Sequence, residues 1–340
     1  MSKTPKTLIL VAGLIALVAL TACTREITTV EQVDPGASNC FNCHSDQDIW
    51  LVSLERQWSE SRHGEGEVAF EGTRASCAKC HSGDGIIAFL EGEEVGAYAN
   101  PAPIHCFACH TPHSEADFSL RSTDPVALLN GTSYDIGNGN ICVNCHQSRQ
   151  NVDTYVVDGV RPNNRFGPHH GPQGDMLFAS NMYEYAGYTY EETPYHRTLT
   201  EDGCADCHMA STGYFTLGGH SFNMQGEVEG ETELNVAGCV ACHEGEDDFS
   251  YHGIQDSVTN LMSDLEALLL AAGMINSSGT PQTMTLSADS AGALFNWKAV
   301  QEDRSLGVHN PKYIIGLLQS SIEFMEGTPG ANELARGMGN

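Results

Sequence analysis

The chain has 340 residues, with 13 cysteines, 15 histidines and 16 basic against 44 acidic side chains, a formal charge of −28. That balance excludes a nucleic-acid-binding surface, because a phosphate backbone demands basic residues. It suits a soluble exported protein, or one that meets cationic partners.

Lys3 and Lys6 open the chain, and Leu8 to Leu20 form an apolar run. The run is short for a membrane span and fits the core of an export signal. Leu20-Thr21-Ala22-Cys23 closes it with small residues before a cysteine, and resembles a bacterial lipobox, which implies lipidation of Cys23. The expected organisation is a signal peptide over 1–22 and a lipidated tether over 23–38, polar and broken by Pro35 and Gly36. Residues 39–255 are rich in cysteine and glycine and lack long periodic stretches, which predicts short helices joined by long loops. The stretch 256–325 has no cysteine, and helical patterns return there. Val258, Leu261, Met262, Leu265 and Leu268 to Leu270 predict an amphipathic helix that ends near Gly273. Further helices are predicted from Ser287 to about Glu302 and from Pro311 to about Glu323. Residues 326–340 are small and polar and predict a disordered tail. The fold class expected is mainly α with long loops, closed by a helical C-terminal part.

Six short motifs recur at unequal spacing within residues 39–255. They are Cys40-Phe-Asn-Cys43-His44, Cys77-Ala-Lys-Cys80-His81, Cys106-Phe-Ala-Cys109-His110, Cys142-Val-Asn-Cys145-His146, Cys204-Ala-Asp-Cys207-His208 and Cys239-Val-Ala-Cys242-His243. Each reads Cys-x-x-Cys-His, the attachment sequence of c-type haem. The two thiols form thioethers with the vinyl groups on one edge of the porphyrin, and the next histidine reaches the iron from below. Zinc sites and redox disulfides also use Cys-x-x-Cys, but neither requires histidine in the next position. The motif cysteines and Cys23 account for all 13, so no pair is left for a structural disulfide. The cofactors implied are six covalently bound haems, whose apolar faces replace much of a conventional core.

A low-spin electron-transfer haem needs a second axial ligand, usually histidine or methionine. Nine histidines lie outside the motifs: His63, His105, His113, His169, His170, His196, His220, His252 and His309. The strongest candidates are His63, His113, His196, His220, His309 and one of the adjacent His169 and His170. His105 and His252 are weaker, since His105 directly precedes a haem cysteine. Met176, Met182, Met209 and Met224 lie among the motifs and are expected to pack rather than ligate.

The flanks of these histidines carry a resemblance. Trp58-Ser-Glu-Ser-Arg-His63 resembles the Trp-x-x-Ser-x-His element of multihaem cytochromes, and the first three motifs around it look like the tetrahaem cytochromes c of ammonia oxidation. Cys204 to Phe222, with Leu217-Gly-Gly-His220-Ser-Phe, and the later Gly307-Val-His309-Asn-Pro are similar to cytochrome c nitrite reductase and its octahaem relatives. The resemblance covers most of residues 39–325 and implies a fold organised by stacked haems. That superfamily holds both carriers and enzymes. Its nitrite reductases typically mark the catalytic haem with Cys-x-x-Cys-Lys, and this chain has no such motif.

The expected function is therefore electron transfer through six c-type haems, bis-histidine ligated, at a bacterial membrane surface in respiratory or extracellular electron transfer. Expected partners are quinol-linked or multihaem cytochromes, or an extracellular acceptor. Thr24, not Asp, follows Cys23, and by resemblance to other bacterial lipoproteins this favours the outer membrane, on its periplasmic or cell-surface face. The alternative is a multihaem reductase or oxidase of small nitrogen or sulfur compounds with one open-faced haem. Tyr195, Tyr251, His252 and Arg165 would then be candidate proton donors or anion clamps. The C-terminal helices could mediate a dimer or simply pack within the chain.

Overall fold

The computed structural model describes residues 49–111, 118–191 and 195–327, all within one compact unit, Gly36–Asn340. The expected signal peptide and tether, Cys23, the first motif (Cys40, Cys43 and His44), His113 and the tail beyond 327 lie outside the described residues.

Helix dominates, in many short pieces. From the N-terminal side come α1 (Ile49–Ser59), α2 (Arg62–Glu65), α3 (Ala75–His81), α4 (Gly83–Leu90) and α5 (Cys106–Cys109). Then follow α6 (Asn140–Val143), α7 (Val152–Tyr155), α8 (Gln173–Leu177), α9 (Tyr195–Leu199) and α10 (Cys204–His208). Sheet among the described residues is limited to two antiparallel hairpins, β1 (Val126–Ala127) with β2 (Ser133–Tyr134) and β3 (Gln225–Val228) with β4 (Glu231–Leu234). The second hairpin turns at Glu229 and Gly230, both at positive φ (53° and 89°), as a tight two-residue hairpin turn demands.

Three longer helices close the chain: α11 (Ile254–Ala271), α12 (Ala288–Asp303) and α13 (Pro311–Glu326). Each expected C-terminal helix is present, with its ends moved by a few residues. Their boundaries follow local chemistry. Ser287 caps α12 by accepting from the Ser290 amide, at 3.2 Å. Asn310 caps α13 ahead of Pro311, whose fixed φ suits a first helical turn. Gly327 ends α13 in the left-handed conformation at φ 70°.

These helices form the main aliphatic core. Val258, Leu265 and Leu269 of α11, Ile314, Leu317 and Leu318 of α13 and Leu294, Phe295, Trp297 and Val300 of α12 belong to one buried cluster. Helix α12 is buried nearly all round, because its other side is covered by Val152, Val156, Phe166, Met176 and Met182. The buried Asn296 fastens that cover: its Oδ1 accepts from the Tyr183 amide and its Nδ2 donates to the Tyr183 carbonyl (3.0 and 2.8 Å). The helical C-terminus and the loops of the motif region thus share one core. A smaller cluster of Val126, Leu128, Tyr134, Ile136, Val143, Leu177 and Phe178 lies beside the fourth motif. Met176 and Met182 are packed, as their composition suggested.

Candidate haem sites

Each described motif adopts the same local turn. The amide of the motif histidine bonds back to the carbonyl of the first cysteine at His110 (2.9 Å), His146 (3.0 Å) and His243 (2.8 Å), while α3 and α10 carry their motifs within the helix. One helical turn places residues i and i+3 on one face and lets the next residue project beside them. The two thiols therefore point the same way and the histidine stands next to them, the arrangement that a porphyrin edge and its iron require. None of the ten described motif cysteines is in a disulfide.

Five histidine pairs face one another across the described structure. His81 faces His169 with ring centres 6.2 Å apart, His110 faces His220 at 6.2 Å, and His146 faces His63 at 6.2 Å. His208 faces His309 at 6.4 Å, and His243 faces His196 at 6.2 Å. Every pair joins a motif histidine to a histidine remote in sequence. A first-row metal–imidazole bond is about 2.0–2.1 Å and the nitrogen lies about 1.1 Å from its ring centre, so two imidazoles on opposite sides of one ion have centres about 6.2–6.4 Å apart. The spacing fits a single iron between each pair. A bare-metal reading does not fit: among the described residues, no group of three or more His, Cys, Asp or Glu side chains converges to hold an ion.

The second ring nitrogen is engaged in several of these residues, which orients the first toward its partner. His110 Nδ1 donates to the Phe118 carbonyl at 2.7 Å, His208 Nδ1 to the Phe222 carbonyl at 3.1 Å and His196 Nδ1 to the Val308 carbonyl at 2.7 Å. His146 Nδ1 meets Gln173 Oε1 at 3.3 Å, and His309 Nδ1 meets Asp303 Oδ1 at 2.7 Å. The buried Nε2 of His169 has no hydrogen-bond partner, as suits a ligating nitrogen. Burial, with the neighbouring His146, holds the His63 pKa down at about 4. Burial and the nearby His170 hold His169 at about 4 as well. Both are thus neutral at physiological pH, the protonation state that ligates metal. Burial would also lower His309, but the charge and hydrogen bond of Asp303 prevail and raise it.

The sequence elements around the remote histidines now have physical reasons. In Trp58-x-x-Ser61-x-His63, Trp58 Nε1 donates to the Ile104 carbonyl at 2.9 Å and ties α1 to the approach of the third motif. Ser61 Oγ accepts from the Gly64 amide at 3.0 Å and caps α2, the turn that carries His63. In Gly218-Gly219-His220, both glycines have positive φ (63° and 52°), and a Cβ on either would strike the Ala210 carbonyl or Gln57. Gln57 Oε1 in turn accepts from the His220 amide at 3.0 Å. In the α12–α13 loop, His309 serves the fifth motif while the adjacent Val308 carbonyl holds the His196 ring of the sixth.

The candidates sort clearly. His63, His169, His196, His220 and His309 each face a motif histidine. Of the adjacent pair, His170 turns instead to Glu302, its Nδ1 2.8 Å from Oε2. His105 is buried against Gly83, and His252 lies 4.1 Å from Tyr251, which itself lies 4.1 Å from His243. Tyr195, Tyr251, His252 and Arg165 are all exposed.

The order of the motifs in space was not legible in the sequence. The side chains of Cys80 and Cys145 are neighbours, as are those of Cys142 and Cys204. Cys207 lies within charge range of Cys239 and Cys242, and Cys109 within charge range of Cys142 and Cys145. The fourth motif therefore sits between the second and the fifth with the third nearby, and the sixth follows the fifth.

No protein-family model matches the chain. The C-type polyheme cytochrome OmcB of Geobacter sulfurreducens, in strains PCA and DL-1/KN400, is 24% identical over an alignment of 340 residues that covers 74% of this chain and 44% of the relative. The crystal structure of the outer cell wall cytochrome OcwA superposes with a TM-score of 0.51 at 21% identity, covering 79% of this chain and 49% of that one. The chain spans about half the length of each. The fold is similar to that of the cytochrome OcwA, and the sequence is distantly similar to the polyheme cytochrome OmcB.

Proposed function

We propose that this protein carries electrons through six covalently attached c-type haems, each held between two histidines, at a bacterial membrane surface. The five facing histidine pairs carry this reading, because their spacing matches bis-histidine ligation of one iron and each pair includes a motif histidine. When bound, c-type haem supplies an iron that takes up and gives back one electron at a potential set by its ligands and surroundings. The chain's own part is positional. The motif turns fix the thiols, the remote histidines close the opposite side, and carbonyl, amide and carboxylate groups orient the rings. The contacts of Cys80 with Cys145 and of Cys142 with Cys204 bring neighbouring attachment points together, as electron transfer over short gaps requires.

Lipidation at Cys23 would hold this conductor to the membrane, and its partners would be other cytochromes or an external acceptor. The two similar proteins point the same way, since OmcB is a polyheme cytochrome and OcwA is a cytochrome of the outer cell wall. The enzyme reading needs an iron with one free face. On the present reading a histidine stands on the second side of each of the five described motifs, so the open face of an enzyme would belong to the first motif. Reduced protein exposed to carbon monoxide tests the choice. A carrier with six bis-histidine haems gives no carbon monoxide difference spectrum. A spectrum equal to one haem moves the reading to a reductase or oxidase, and binding at several haems overturns both.

A further inference from the structure

Among the ten facing histidines, His309 is set apart by what holds its ring. The ring nitrogens of His110, His196 and His208 go to backbone carbonyls and that of His146 to an amide side chain, whereas His309 Nδ1 meets the Asp303 carboxylate at 2.7 Å. The Asp303 side chain is fully buried. Its second oxygen accepts from the hydroxyl and the amide of Ser305. Its three partners offset the cost of burying this carboxylate, and one of them is the ring of a facing histidine. Asp303 is the last residue of α12, where the exposed carbonyl ends already carry partial negative charge, and burial of a charge is costly without a partner. The turn after it is also strained for ordinary residues: Arg304 and Leu306 have positive φ (62° and 49°). That turn brings Ser305 and His309 back onto Asp303.

Resting on the bis-histidine reading above, we propose that Asp303 is a positioning and tuning residue that gives the fifth-motif haem the lowest potential of the five described sites. A carboxylate that accepts the ligand's N–H adds electron density to the imidazole, strengthens its donation and favours the more positively charged ferric iron. A backbone carbonyl carries only a partial charge and does this less. The fifth motif lies between the fourth and the sixth, so a depressed potential there makes the middle of the described path its least readily reduced point and separates electrons held on either side.

The test is a spectroelectrochemical titration of the holoprotein against Asp303→Asn, read with electron paramagnetic resonance. The variant should raise the potential of one haem, so that its reduced-to-oxidised ratio at fixed applied potential rises about tenfold, or about 59 mV for one electron. It should shift one low-spin signal and leave the others in place. A variant that holds all its haems and titrates like the parent overturns the proposal. If Asp303→Asn does not accumulate, the parent protein still decides: the low-spin signal lost in His309→Ala must belong to the described haem that titrates at the lowest potential, and a signal that titrates above that of another described haem overturns the proposal. The underlying reading fails separately: if His309→Ala leaves the number of low-spin haems unchanged, His309 is not a ligand.

Discussion

The C-terminal helices and the motif region solve the problem of a core in opposite ways. Residues 254–327 bury Leu265, Leu269, Leu294, Phe295, Trp297, Ile314, Leu317 and Leu318 against one another, as any helical domain would. Residues 49–253 are longer, yet their separate aliphatic cluster holds only seven buried residues. Their order comes from pinned turns: Ser61 on α2, Asn235 reaching the Ala210 carbonyl at 3.1 Å, and Asp175 holding the Ser148 amide at 2.6 Å. In the proposed reading the porphyrin faces provide the missing apolar surface, and the polar pins set the ligands. The lesson is that the amount of aliphatic core does not mark where the function lies. The conventional helices reach the facing histidines through Asp303 at the end of α12 and through the loop 304–310, which carries His309 and the Val308 carbonyl.

The sharpest way to break this contrast is to remove attachment points. The double variant Cys142→Ala/Cys145→Ala strikes the motif whose thiols contact those of two others. It should abolish accumulation of folded holoprotein, because folding is coupled to cofactor attachment as in other metal-dependent domains. Cys239→Ala/Cys242→Ala, at the end of the series, should lose one haem and keep the rest. Haem content per chain by the pyridine haemochrome method, with a thermal melt, separates the two. Equal damage from both would mean that the motif region is not organised around the fourth site.

In the helical region the expected effect is smaller and ordinary. Trp297 is 1% exposed, and Trp297→Ala should cost about 3–5 kcal/mol of stability while leaving the haem spectra unchanged. A change in the low-spin spectrum would mean that the two regions are coupled more tightly than the α12–α13 loop alone provides.

Asp175 stands at the join between the regions and gives a pH signature. Burial raises its pKa to about 6, against the opposing hydrogen bonds of Ser148 and Asn181. The folded state thus binds this proton more tightly than the unfolded chain, for which a carboxyl near 4 is usual. The stabilising effect of the protonated form is complete below about pH 4 and is lost as pH rises to about 6, a fall on the order of 2–3 kcal/mol. Asp175→Asn should flatten that part of the stability profile, measured by denaturant unfolding of holoprotein between pH 4 and pH 7. A slope unchanged in the variant would remove Asp175 as its source.

The smallest effect is local. Ser61→Ala removes the cap of α2 and should cost about 1 kcal/mol. It should also loosen the turn that carries His63, seen as a broadened low-spin signal from one haem.

Much of the chemistry was legible in the sequence, and much of the geometry was not. The motifs announce themselves because covalent attachment fixes residue types at fixed spacing. His63, His220 and His309, expected as ligands, stand in turns with particular neighbours, Ser61, Gly218, Gly219 and Pro311, and those neighbours made them recognisable. The choice of His169 over His170 was hidden: both share one Gly-Pro flank, and only the fold places Glu302 beside His170. The junction at the fourth motif was hidden for the same reason, since Cys145 reaches Cys80 and Cys142 reaches Cys204 only through chain paths that no local pattern records. The C-terminal helices were readable from apolar periodicity, except that α12 is buried on nearly every side because the loop around Tyr183 covers it.

The central claim is that facing histidines close both sides of each iron. Low-temperature electron paramagnetic resonance of the oxidised holoprotein, integrated against total haem iron, tests it most directly. The account predicts that every haem is low-spin, the five described sites included. High-spin signal from any haem would contradict it, and signal equal to more than one haem would mean that at least one of the five facing pairs is not a pair of ligands.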